Sequence, residues 1–169
     1  MIMAPILAIL PSAEQKDQLK KRKLAMARGV RVQLTHIDDP DPDPSKYLSN
    51  TGQPLERKLP IVAYRLARPR PEMWYERPEE NWSFTQATEA PNSPVGDYGI
   101  KGWHCERYPQ NGFTPVWEKF FQAKLPLLPR DVVRVEENKF MVTIYWKEKG
   151  EVDEILDLLS ACAQLELGS

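Results

Sequence analysis

Two cysteines, Cys105 and Cys162, are too few for a disulfide framework or a structural zinc site. A reducing compartment is the expected setting. Eight scattered glycines build no phosphate loop and no dinucleotide fingerprint, and neither G-x-S-x-G nor H-E-x-x-H occurs. The first ten residues (MIMAPILAIL) are apolar, but no basic segment precedes them, as a secretory signal requires; the basic residues follow instead. No other apolar run approaches the roughly 20 residues that span a bilayer. The expected location is therefore the cytoplasm, or a particle assembled there, without secretion or membrane insertion.

Disorder is excluded by what is present. Five Trp, six Tyr and five Phe in 169 residues are too many for an unfolded chain, although the charged fraction is 28% and the hydrophobic fraction 41%. At this length folding hides roughly 70% of the surface of the extended chain, enough for one real core. A single domain over 1–169 is expected, read as three stretches: 12–66, 67–113 and 114–169.

Net charge is only -1, yet its distribution is uneven. Residues 1–37 carry net +5 and the remainder net -6. Ser12 with Gln15 matches a capping box and Gly29 suits a left-handed helix stop, which predicts a helix over about 13–28. Lys16, Lys20, Lys21, Arg22, Lys23 and Arg28 surround a thin apolar set in that helix, and Arg31 follows. These cations suit phosphate neutralisation, a solvated face, or a contact with the acidic C-terminal helix or a neighbouring subunit.

Alternation of Val30, Val32 and Leu34 with polar residues predicts a half-buried strand, and residues 59–66 (LPIVAYRL) a second. Between them, 38–57 reads as a loop opened by alternating Asp and Pro. Asp39, Asp41 and Asp43 imitate the start of a calcium loop, but Pro44 stands where glycine is needed and Asn50 where a bidentate Glu is needed. A solvated acidic loop is the expectation, with no metal or cofactor.

Residues 67–113 show no sustained period, only prolines, arginines and isolated aromatics, and read as a long irregular arm. Trp74, Tyr75, Trp82 and Trp103 resemble the aromatic anchors of protein interfaces; the competing reading folds them back onto their own domain. In 114–169, Thr114-Pro115 opens a short helix presenting Val116, Trp117, Phe120 and Phe121. A hairpin follows, joined through Glu136–Lys139 with Asn138 in a left-handed conformation. A last helix after Gly150 presents Val152, Ile155, Leu156, Leu159 and Cys162.

The fold expected is α+β: a mainly antiparallel sheet, its C-terminal β-hairpin covered by a helix, plus the irregular arm. No catalytic constellation emerges. Cys105 with His36 as base is an arithmetic possibility without local support, and Cys162 reads as core. The function expected is a non-catalytic structural or interaction subunit of a larger protein assembly, homo- or hetero-oligomeric, with phage or virus particles as the analogy. The alternative is a small nucleic-acid-binding accessory protein using the basic helix over 16–31.

Overall fold

A computed structural model describes residues 11–40, 43–70, 72, 75, 81–86, 98, 100 and 102–165. The fold is α+β. Among the described residues six strands form one antiparallel sheet, and three α-helices accompany it. The strands are β1 (Arg31–Asp38), β2 (Lys58–Ala67), β3 (Trp82–Gln86), β4 (Trp103–Arg107), β5 (Val132–Asn138) and β6 (Met141–Trp146). They are ordered β1-β2-β6-β5-β3-β4.

Helix α1 (Ala13–Ala27) starts where the sequence predicts, because both halves of the capping box form. Gln15 N–H donates to Ser12 Oγ at 3.1 Å, and Ser12 N–H donates to Gln15 Oε1 at 2.9 Å. It stops at Gly29, whose φ of +78° few side chains tolerate. Helix α2 (Pro115–Lys124) buries Trp117 and Phe121, while Val116 stays exposed. Helix α3 (Val152–Gln164) buries six residues, including Ile155, Leu156, Leu159 and Cys162, and packs on the sheet as the hairpin-covering helix.

Register divides the sheet into two faces. Val62, Tyr64, Trp82, Phe84, Val135, Val142, Ile144 and Trp146 point to the helical side and join the helices in the main core. Trp82 and Phe84 meet Phe121 at centroid separations of 4.7 and 4.6 Å, a tilted aromatic packing that favours ring edges over faces. The other face carries a small cluster of Ile37, Ile61, Ala63 and Tyr145. Beside it lie polar pairs: Arg134 with Glu106 at 3.1 Å, and Tyr145 Oη donating to Glu136 at 2.7 Å.

Two expectations are corrected. The stretch read as an irregular arm contains β3 and β4, and β3 sits inside the sheet between β5 and β4. Four of its five residues are buried, on both faces, so it shows none of the alternation that marks a strand with one wet face. The hairpin turn also lies further on. Asn138 pairs with Met141, and Lys139 and Phe140 take the positive φ values, +49° and +63°. A two-residue turn with both central residues left-handed matches the twist of the flanking strands better than the four-residue connection expected.

Candidate interaction surface

Helix α1 docks on the domain through charge. Ala25 is its one buried apolar residue among the described positions; the other buried residue is Lys21. Lys21 Nζ donates to the Glu148 carbonyl at 2.9 Å, pairs with Asp17 one turn earlier at 2.6 Å and lies 5.9 Å from the Trp146 ring centroid. Arg22 donates through Nε to both carboxylate oxygens of Glu148, at 2.9 and 3.2 Å, and through Nη2 to Oε2 at 2.5 Å. Tyr64 Oη donates to Glu148 Oε1 at 3.0 Å.

Glu148 is 3% exposed and has φ of +59°, a backbone state that costs a non-glycine residue about 1–2 kcal/mol. Its hydrogen bond raises the Arg22 guanidinium above its already high ordinary pKa, against a lowering by burial. Burial first, then the Glu148 charge, pushes the Tyr64 phenol far up. Both protons are fixed in place. At the end of α1, Arg28 reaches Asp153 of α3 at 3.5 Å, which is the contact with the acidic C-terminal helix that the sequence offered.

The seven cations named from sequence thus divide. Lys21 and Arg22 face inward and Arg28 is paired, whereas Lys16, Lys20 and Lys23 are exposed on one stripe at spacings of four and three residues. Arg31 is exposed at the start of β1. Among the aromatics named as interface anchors, Trp82 and Trp103 are corrected: they are 2% and 8% exposed and belong to the chain's own core. Burying the large ring area against α2 and the sheet removes it from any partner's reach. Tyr75 is exposed, and Trp74 lies outside the described residues.

A feature the sequence did not single out is the β1 edge of the sheet, which pairs with no further strand among the described residues. Asp39 N–H donates to the Arg57 carbonyl at 2.9 Å, in the same register that pairs Ile37 with Leu59 and Thr35 with Ile61. Odd-numbered residues of β1 therefore bond to β2, and Val32, Leu34, His36 and Asp38 turn their main-chain groups outward. Pro60, which lacks an N–H, sits opposite His36, where no bond to β1 is required. Leu34 is 69% exposed on this edge. On α1, packed beside β1, Leu19, Leu24 and Met26 are exposed as well.

The remaining candidates are kept apart by the fold. Cys105 is buried on β4, donates to the Arg107 carbonyl at 3.2 Å, and has its thiol pushed up to about 12 by burial. His36 is on β1, at the opposite edge, five strand spacings or about 24 Å away, so the two form no nucleophile and base pair. Cys162 is fully buried on α3. Asp43 accepts from Ser45 N–H at 2.9 Å and caps the short 3-10 turn Pro44–Tyr47. Asp39 accepts from Tyr47 Oη, and Asp41 lies outside the described residues. Among the described residues no cluster of three or more His, Cys, Asp or Glu is placed to hold a metal ion. No described helix is long and apolar enough to cross a membrane.

No protein family model matches the sequence, and no curated protein does. The crystal structure of the mycobacterial trehalose monomycolate transport factor A aligns over 88% of this chain and 93% of that one, with 9% identity and a TM-score of 0.44. A likeness of that size carries no argument about activity.

Proposed function

We propose that the chain serves as a non-catalytic interaction subunit of a larger protein assembly. The observation that supports this reading best is the β1 edge: a strand of eight residues whose outer side pairs with no strand among the described residues, with an exposed leucine, beside a helix that exposes Leu19, Leu24 and Met26. Natural sheets blunt such an edge with proline, lysine or a bulge, or cover it. β1 has none of these devices within Arg31–Asp38. The other edge, β4, is only five residues long and has a register shift against β3; a proline follows each of the two edge strands two residues on, Pro109 after β4 and Pro40 after β1. A long edge that no described strand covers, at the end of the sheet opposite the short β4 edge, supports an interaction surface.

The second reading, nucleic-acid binding, is favoured by the Lys16, Lys20 and Lys23 stripe. Three phosphate contacts give a slope of log affinity against log salt of about -2.7 on duplex DNA, a weak and strongly salt-dependent interaction. Light scattering across a gel-filtration peak of untagged protein, with absorbance at two wavelengths and at low and high salt, separates the two. A discrete oligomer free of nucleic acid and indifferent to salt is the expected result. A monomer that carries nucleic acid at low salt and sheds it at high salt replaces the first reading with the second.

A further inference from the structure

We infer that Arg31 and Arg65 form a binding site for a phosphate monoester group, on the face of the sheet away from the helices. The inference stands apart from the assembly reading and does not depend on it.

Register places the pair. Arg31 of β1 lies directly opposite Arg65 of β2. Odd-numbered residues of both strands share the face that carries Ile37, Ile61 and Ala63, so both guanidiniums leave the sheet on that side. In a bonded antiparallel pair the two Cα atoms are about 5.5 Å apart, and like charges set so close oppose each other. Charges nearer the middle of this face have partners: Arg134 meets Glu106 at 3.1 Å, and Glu136 accepts from Tyr145 Oη at 2.7 Å. Neither Arg31 nor Arg65 forms an ion pair with a carboxylate among the described residues. The polar group beside Arg65 is the neutral Tyr145 phenol, which leaves the arginine charge uncompensated. Glu136 stands two strands away across Thr143, about 10 Å between backbones.

One donor of the pair is also unmet. Arg65 Nε–H is buried and has no acceptor. A missing bond costs more on a charged donor than on a neutral one. Two facing guanidiniums, one with an orphan donor, are completed by an acceptor that carries negative charge.

Charge decides the class of that acceptor. Two cations are balanced by a dianion, and a phosphate monoester carries about −1.5 to −2 charges at pH 7. A carboxylate or a nucleic-acid phosphodiester carries a single charge. The terminal oxygens of a monoester also suit two planar guanidinium forks, each able to bond in bidentate fashion. Solvent reaches the pair, because Arg31 is exposed and Arg65 half-buried. Along β2 the same-face neighbours of Arg65 are Ala63 and Ala67, which take up little room, and Gln33 follows Arg31 on β1 with its amide exposed. The cationic stripe of α1 lies on the helical side of the sheet and takes no part.

The test is thermal unfolding of the full chain at fixed ionic strength in chloride, titrated with phenyl phosphate, inorganic phosphate, dimethyl phosphate or acetate. Phenyl phosphate and inorganic phosphate are expected to give a saturable rise in Tm, about 5–10 °C at 100 times Kd. The monoanions dimethyl phosphate and acetate are expected to bind at least about tenfold more weakly. Arg31→Gln and Arg65→Gln should each weaken the phosphate response by about tenfold or more, while Lys119→Gln, an exposed charge on α2, should leave it unchanged. Without phosphate, Arg31→Gln should keep or raise Tm, since it removes a like-charge opposition at an exposed position. An NMR spectrum of the arginine Nε–H groups, with the Arg65 signal identified by its loss in Arg65→Gln, should show that signal shifting with phenyl phosphate. Absence of a saturable response in the wild type overturns the site. Equal binding of acetate or dimethyl phosphate overturns the monoester assignment, and a phosphate response that survives Arg31→Gln and Arg65→Gln overturns its location.

Discussion

Replacing Glu148 with Gln tests the reasoning about α1 most directly. The change keeps the side-chain shape and the strained backbone but removes the charge that gathers Arg22 and Tyr64. Hydrogen bonds to a charged group contribute about 1.5–3 kcal/mol where buried. Arg22 is 24% exposed and can recover part of its hydration, and the amide oxygen still accepts one bond. A net cost of about 2 kcal/mol follows, which for a domain of this size lowers Tm by about 4–8 °C. Lys21 keeps its bond to the residue 148 carbonyl, so the damage is local. Hydrogen exchange should reveal it in α1 amides first, because Ala25 is the only described apolar residue holding that helix down. Urea unfolding of Glu148→Gln, Arg22→Met and the double variant completes the test, with a coupling of about 1–2 kcal/mol expected. A cost under about 0.5 kcal/mol, or strict additivity with Arg22→Met, refutes the view that charge docks α1.

Three further outcomes follow from buried groups. Arg68 Nη1 donates to both oxygens of Glu137, at 2.9 and 2.7 Å, its Nη2 donates to the Leu165 carbonyl at 2.9 Å, and Trp82 Nε1 donates to Glu137 at 2.9 Å. Glu137→Leu strands a buried guanidinium and should cost about 3–5 kcal/mol in urea unfolding, while Arg68→Met with Glu137→Leu recovers most of it; a single-variant cost under about 1 kcal/mol contradicts this. Burial raises Cys105 to about 12, and raises Tyr145 to about 12 together with its bond to Glu136. Both hold their protons in the fold after the unfolded chain has lost them. Their contribution is therefore complete below the ordinary thiol and phenol values and declines between about pH 9 and 12. Urea midpoints should fall across that window, and Tyr145→Phe should make the fall shallower; parallel curves refute the assignment. Neither native thiol should react with a thiol reagent at pH 8 without denaturant.

Local rules carried far where an element's ends and one buried face are encoded in adjacent residues. Ser12 and Gln15 start α1 and Gly29 ends it because those bonds span three residues or fewer. Val152, Ile155, Leu156 and Leu159 specify α3 because their spacing alone defines a face. β2 and the β5 and β6 hairpin follow from β-branched and aromatic runs. The α+β class follows from those pieces, and so does the helix over the hairpin.

Tertiary structure decided the rest. β3 is invisible in the sequence because both its faces are buried, Trp82 and Phe84 against Phe121 of α2 and Ser83 and Thr85 beside Glu106 and Arg134, and those partners come from distant parts of the chain. The cations of α1 look equivalent until a carboxylate 126 residues away selects Arg22, and the same residue's carbonyl selects Lys21. The alternation of Val30, Val32 and Leu34 marks a strand, yet only the strand order makes it an edge and leaves Leu34 in water. Helix starts and apolar faces are set by neighbours along the chain. Which charge is buried, and which edge is left unpaired, depends on partners that only the folded chain brings together.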